Sequence, residues 1–354
     1  MEIQLTKTKT ITIGGGPKKR KPADVVGIDL FSGETRGCPA VRLTEKKGVL
    51  RLAAVGFVPP PADPLPSSWK DAAKACTWSL PAPFQAPSAA LAVTSSEMTF
   101  SQTTADAFGF EISAGAPVSH DGKRTVMRPM SATDGFVMQA TLPEYQVLWL
   151  SRLLPEGRRP TAASIQVRPA ALVASVLKQR ALTEDGGTAL ALFISENAVH
   201  IAGYKGGDLV LWRACRGVAG WQGIRAALKK SLGLEDEMIA GVLDDTLIDP
   251  RPVLDPLAAP LMNELAVSRD YLVGKLGLEP KRILALGLPA GERYWSAIAE
   301  DRLHLKLMAP NPFDGLGRAD KLFVGEGAAL EGAGANAFLG AVGAALALAG
   351  EVAT

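Results

Sequence analysis

Few residues in this chain have types and spacing that could do chemistry. Asp29 closes the apolar run from Val25, and the next residues are Leu30, Phe31, Ser32, Gly33, Glu34, Thr35 and Arg36. A carboxylate ending a strand can face a metal ion or a phosphate, or cap the turn that follows, and the cap is the simpler expectation. Gly14, Gly15 and Gly16 resemble a phosphate cradle, but Pro17 and the run Lys18, Lys19, Arg20, Lys21 follow where a helix should open. No GK[ST] is present, so these residues read as a basic linker. His120, His200 and His304 lack ligand spacing, and there is no HExxH or GxSxG. Neither a metal site nor a hydrolytic triad is therefore expected. Cys38, Cys76 and Cys215 form no CxxC pair, which points away from a disulfide framework or zinc and toward a reducing compartment.

The elements that must position these residues belong to an α/β chain. The 354 residues suit two medium domains, and 47% hydrophobic with 21% charged residues is ordinary globular composition. A net charge of +2 gives no global field for nucleic acid, and no aromatic platform is interleaved with the basic run. Residues 3–13 alternate as a strand would, where a signal peptide needs a continuous apolar run. That strand pairs with another element, pairs with another chain, or stays a frayed tail. The Ala/Gly-rich stretch 335–350 is shorter than the ~20 residues a bilayer needs and is expected to be a buried helix.

From Asp24 the pattern reads strand, loop, hairpin (40–43 and 49–58), helix (67–77) and strand (89–93). Residues 95–134 are irregular and polar, as in an inserted subdomain. It closes with a strand at 135–140, a helix at 143–154 and a strand at 162–167, and a helix at 169–180 follows. A second strand, loop, hairpin and helix start at Thr188, which argues for duplication. A helix at 257–276, a strand at 282–286, a helix at 292–300 and a strand at 303–308 lead to the closing helix. The expected division is 1–23 as strand and linker, 24–90 as a first domain completed by 168–182 and 335–354, 91–167 as the insert, and 183–334 as a second domain.

Several stretches carry a family resemblance. They are VGID at Val26–Asp29, the segment from Val137 to Pro169, NELAVSRDYLVGKLGLEPKRILALG at Asn263–Gly287 with Glu264, Ser268 and Tyr271, and the closing NAFLGAVGAALAL. In this order they resemble the PilM family of type IV pilus assembly proteins, in the FtsA/PilM branch of the actin-like ATPase superfamily. The resemblance implies duplicated actin-like (ribonuclease H-like) domains with an inserted FtsA/PilM-type subdomain. It also implies two hairpin loops around the phosphates of Mg-ATP and a glycine pair beside adenosine.

All three loops depart from the family pattern. Phe31 stands where the first should have glycine, and residues 188–197 contain no Asp or Gly, with Leu192 and Ile194 in the expected places and Glu196 as the one carboxylate. SGGG becomes Ala285, Leu286, Gly287, Leu288. Asp29, Ser32, Gly33 and Gly287 remain as a degenerate nucleotide site, no cofactor is expected, and ATP with Mg is doubtful.

By the resemblance the chain is a cytoplasmic scaffold peripheral to the inner membrane. It binds the short tail of a PilN-like membrane protein in a groove between the first core subdomain and the insert, with Tyr145, Leu148 and Trp149 as contacts. Near Arg168 the family usually carries an acidic residue, and this chain departs from that. Membrane contact is expected to be indirect, and self-association is open. The alternatives are an active actin-like ATPase or sugar-kinase relative, and the cytoplasmic scaffold of type II secretion.

Overall fold

The computed structural model describes residues 23–30, 36–74, 78–104, 118–130, 135–153, 162–176, 187–194, 198–206, 208–244, 249–286 and 292–353. The chain begins with strands β1 (Asp24–Leu30), β2 (Cys38–Lys46) and β3 (Val49–Val58), the one-turn helix α1 (Trp69–Ala72) and strand β4 (Ser88–Val93). Strands β5 (Thr99–Thr104), β6 (Val118–His120), β7 (Lys123–Pro129) and β8 (Phe136–Pro143) follow, then helix α2 (Glu144–Leu153), strand β9 (Ala162–Val167) and helix α3 (Arg168–Val176). A second series runs β10 (Thr188–Ile194), β11 (Val199–Lys205), β12 (Asp208–Cys215), α4 (Trp221–Leu232), α5 (Asp236–Asp244), α6 (Arg251–Leu276), β13 (Arg282–Leu286), α7 (Glu292–Leu303) and β14 (Lys306–Met308). Strand β15 (Gly317–Val324), a 3-10 helix over Ala333–Phe338 and helix α8 (Leu339–Ala353) complete it.

Two sheets repeat one plan. The strand orders β3-β2-β1-β4-β9 and β12-β11-β10-β13-β14 match, and in each an antiparallel meander of three strands is extended by two strands parallel to the first. This is the duplicated actin-like plan. β15 joins the first sheet outside β3, and between β4 and β9 the chain builds a third, antiparallel sheet in the order β5-β8-β7-β6. That region reads as irregular in sequence because its strands are short and polar and carry little apolar alternation.

The near-continuous apolar runs of β1 and β10 follow from burial on both faces. Val26, Ile28 and Leu30 face outward into a core with Trp78, Trp149 and Leu153. Val25 faces inward to a core that includes Ala341, Ala344 and Ala345 of α8. Leu190, Leu192 and Ile194 enter the outer core beneath α4, α6 and α7, while Ala189, Ala191 and Phe193 face inward with Leu172 of α3 and Leu339 of α8. The helices α3 and α8 therefore stand between the two sheets.

The small residues of α8 let it approach that closely. A Cβ on Gly27 would collide with the Ala341 carbonyl, and one on Gly343 would collide with the carbonyl of Ala171 in α3.

Among the element boundaries that differ from the sequence reading, three stand out. α6 starts at Arg251 and keeps Pro256 and Pro260 inside it, because the buried stripe of Leu254, Ala258, Leu261 and Leu265 outweighs the lost backbone bonds. Leu303 ends α7 instead of opening a strand, and His304 turns the chain with a φ of 55°. Helix α1 covers only Trp69–Ala72, while 75–77 lie outside the described residues.

Candidate functional site

Ligands of open parallel sheets gather at the carboxyl ends of the strands. There, β1, β4 and β9 end side by side, with Leu30 beside Val93 and Val93 beside Val167. Asp29, two residues on from Gly27, shares the inward face of β1 and is fully buried. Its Oδ2 accepts a hydrogen bond from Nε of Arg168, the first residue of α3, at 2.8 Å, and its Oδ1 has no partner. Gly340 of α8 closes the other side, where a Cβ would collide with the carboxylate. Asp29 is thus held by Arg168 on one oxygen and shut in by α8 on the other side. Burial pushes its carboxyl above the usual carboxylate range, and the guanidinium pulls it partly back.

The terminal amino groups of Arg168 have no hydrogen-bond partner among the described residues, and its side chain is 19% exposed. Across the interlobe space, His200 stacks on Trp212 with ring centroids 5.0 Å apart. Burial first, and the Arg168 charge second, lower its pKa, so the ring is neutral at pH 7.

In the second sheet Phe193 holds the matching place. Like Asp29 it is the sixth residue of a seven-residue opening strand and faces inward, and it packs on Trp212 with centroids 5.7 Å apart. Leu192 and Ile194 point to the opposite face, so the place that Asp29 holds in the first sheet falls here to an aromatic core residue, one position later than Leu192. Among the described residues no group of His, Cys, Asp and Glu could hold a metal ion. Phe31, Ser32, Gly33, Glu196, Gly287 and Leu288 lie outside the described residues.

Glu264 of α6 is also paired. Its Oε2 accepts from Arg213 of β12 at 2.7 Å, Arg213 donates to Ser268 Oγ at 3.2 Å, and that hydroxyl donates to the Glu264 carbonyl at 2.8 Å. Tyr271 packs against the outer core of the second sheet. Burial and the nearby Glu264 push the Cys215 thiol up to about 12. The cysteines Cys38 and Cys215 are both buried and form no disulfide.

At the junction of the first sheet with the third, the candidate partner residues separate. Trp149 is 2% exposed in the core, where its ring serves packing. Leu148 is half-buried. Tyr145 lies at the surface, where its ring meets Trp69 and its hydroxyl donates to Glu97. Burial and Glu97 raise its pKa to about 12. Sequence reasoning missed both Arg168 as a partner of Asp29 and the exposed Trp69. The available signal for the first was an arginine and an aspartate at the ends of strands in one parallel sheet.

The chain is similar to a solved PilM-PilN type IV pilus biogenesis complex, with 15% identity over 94% of this chain and 99% of the other and a TM-score of 0.58. It is also similar to an actin-like ATPase-fold protein of unknown function from Bacteroides thetaiotaomicron (8% identity, 82% and 91% coverage, TM-score 0.41). A ROK hexokinase from Thermus thermophilus is comparable (14% identity, 92% and 98% coverage, TM-score 0.42). No protein-family model and no curated protein sequence matches. At 15% identity the likeness to the PilM-PilN structure, over nearly the whole of both chains, shows a shared fold alone.

Proposed function

We propose that this chain is a cytoplasmic, membrane-peripheral scaffold of a type IV pilus-like assembly complex. It holds the short cytoplasmic tail of a PilN-like inner-membrane protein and does not hydrolyse ATP. In this reading 91–167 form the inserted subdomain, flanked by a first domain (24–90, 168–182, 335–354) and a second (183–334), and the tail lies where the insert meets the first domain.

The observation that carries the reading is the Asp29–Arg168 pair, 2.8 Å long and sealed under Gly340. A carboxylate already neutralised by an internal cation, with one oxygen enclosed, has no free side for a magnesium ion, which needs near-octahedral oxygen ligands. Phe193 removes the second carboxylate that would position metal and water. The full-length likeness to the PilM-PilN structure and the stretches resembling the PilM family support the assembly role. Among the described residues no helix is long and apolar enough to cross a membrane.

Titration with labelled ATP and magnesium is expected to give no turnover, and measurable turnover defeats the reading. Capture by immobilised synthetic cytoplasmic tails of single-pass membrane proteins encoded nearby is expected for at least one tail. Failure with all of them removes the assembly role.

A further inference from the structure

Trp69 differs from every other tryptophan in the chain. Trp78, Trp149, Trp212, Trp221 and Trp295 are each at most 5% exposed, whereas Trp69 is 53% exposed. It is the first residue of α1, whose Ser68 cap accepts a hydrogen bond from the Asp71 amide and fixes the turn. Its ring sits edge-on to Tyr145 of α2, with centroids 6.1 Å apart and planes at 63°. Tyr145 in turn donates its hydroxyl proton to Glu97 in the turn after β4. The three side chains therefore form one row from three separate segments, with Tyr145 between an exposed indole and an exposed carboxylate.

Among the described residues no internal cation is paired with this row. Asp71, Asp249, Asp270 and Asp320 each pair with a lysine or arginine, but among the described residues no cation lies within ion-pair distance of Glu97. Arg36 sits over the Phe57 ring at 4.3 Å from its centroid, whereas among the described residues no cation sits over the ring of Trp69. The exposed indole attracts a cation through its ring quadrupole and the exposed carboxylate through its charge, with Tyr145 linking the two. The hydrogen bond from Tyr145 holds the carboxylate in place.

We propose that Trp69, Tyr145 and Glu97 form a receptor for the arginine or lysine side chain of a bound peptide. The identity of that peptide rests on the assembly reading above, because cytoplasmic segments flanking membrane helices are rich in lysine and arginine. The existence of the receptor does not rest on it. The row adjoins the end of β4, where the first sheet gives way to the third, so a tail lying there places a basic residue within its reach.

The test uses the full chain labelled with 5-fluorotryptophan, the Trp69 fluorine resonance being the one lost in Trp69→Phe. Titration with N-acetyl-Ala-Arg-Ala-amide is expected to shift that resonance saturably and leave the buried tryptophans unmoved. The citrulline peptide, equal in shape but neutral, is expected to bind about fivefold more weakly or worse. Glu97→Gln, at an exposed position, is expected to weaken the arginine peptide about threefold. Absence of a saturable shift, equal affinity for the citrulline peptide, or tighter binding of tetramethylammonium than of the arginine peptide overturns the proposal. A positive titration with failed tail capture counts against the assembly role alone, and the reverse counts against this receptor alone.

Discussion

The carboxyl group of Asp29 is held by one neighbour, and its burial sets what happens when that neighbour is removed. Arg168→Ala leaves a fully buried carboxylate without a counter-charge, which is expected to destabilise the fold by about 3 kcal/mol at pH 7 in urea unfolding. The sign of the pH dependence follows from the raised pKa. A carboxyl harder to ionise folded than unfolded contributes stability below its unfolded value of 3.8 and loses it as pH rises through the folded value. The Arg168→Ala deficit is therefore expected to shrink as pH falls toward that window, and a constant deficit would contradict the assignment. The Cys215 thiol, pushed up to about 12, stays protonated at pH 8. Peptide mapping after iodoacetamide is expected to find it unmodified in the native protein.

At the level of elements, α8 depends on side chains it lacks. Gly343→Ala drives a methyl group into the Ala171 carbonyl and is expected to cost about 2–3 kcal/mol. Gly350→Ala on the same helix meets nothing within 4 Å and is expected to be neutral or stabilising by up to about 1 kcal/mol. Equal effects of the two changes on the urea midpoint would mean that helix propensity, and not close approach, governs α8. The third sheet meets the second through its edge strand: the Gln102 side chain of β5 accepts from the Trp212 amide of β12 at 2.9 Å, and Phe100 meets the Trp212 ring at 4.9 Å. Phe100→Ala is expected to expose β5–β8 to faster limited proteolysis while far-UV circular dichroism stays unchanged.

Across the whole molecule, Met130, Met138 of β8, Leu172 of α3, Leu339 of α8 and the inner face of the second sheet share one buried core, so the second and third sheets pack together with α3 and α8. Its duplicated plan was legible in the sequence. Buried strands need unbroken apolar runs, and hairpins need turns such as Glu45 to Gly48, and both appear twice in the same order without help from distant residues. The closing Ala/Gly helix was legible for the same local reason. The lack of any aspartate in residues 188–197 was also visible, although only the strand faces put Phe193 in the place that Asp29 holds in the first sheet. Distant pairings were not legible. Arg168 meets Asp29 across 139 residues, β15 pairs with β3 although they lie far apart in the chain, and Trp69, Glu97 and Tyr145 converge from three segments. Local pattern encodes which face of an element is apolar, but which side chains meet is decided by how sheets and helices stack, and that depends on the whole chain at once.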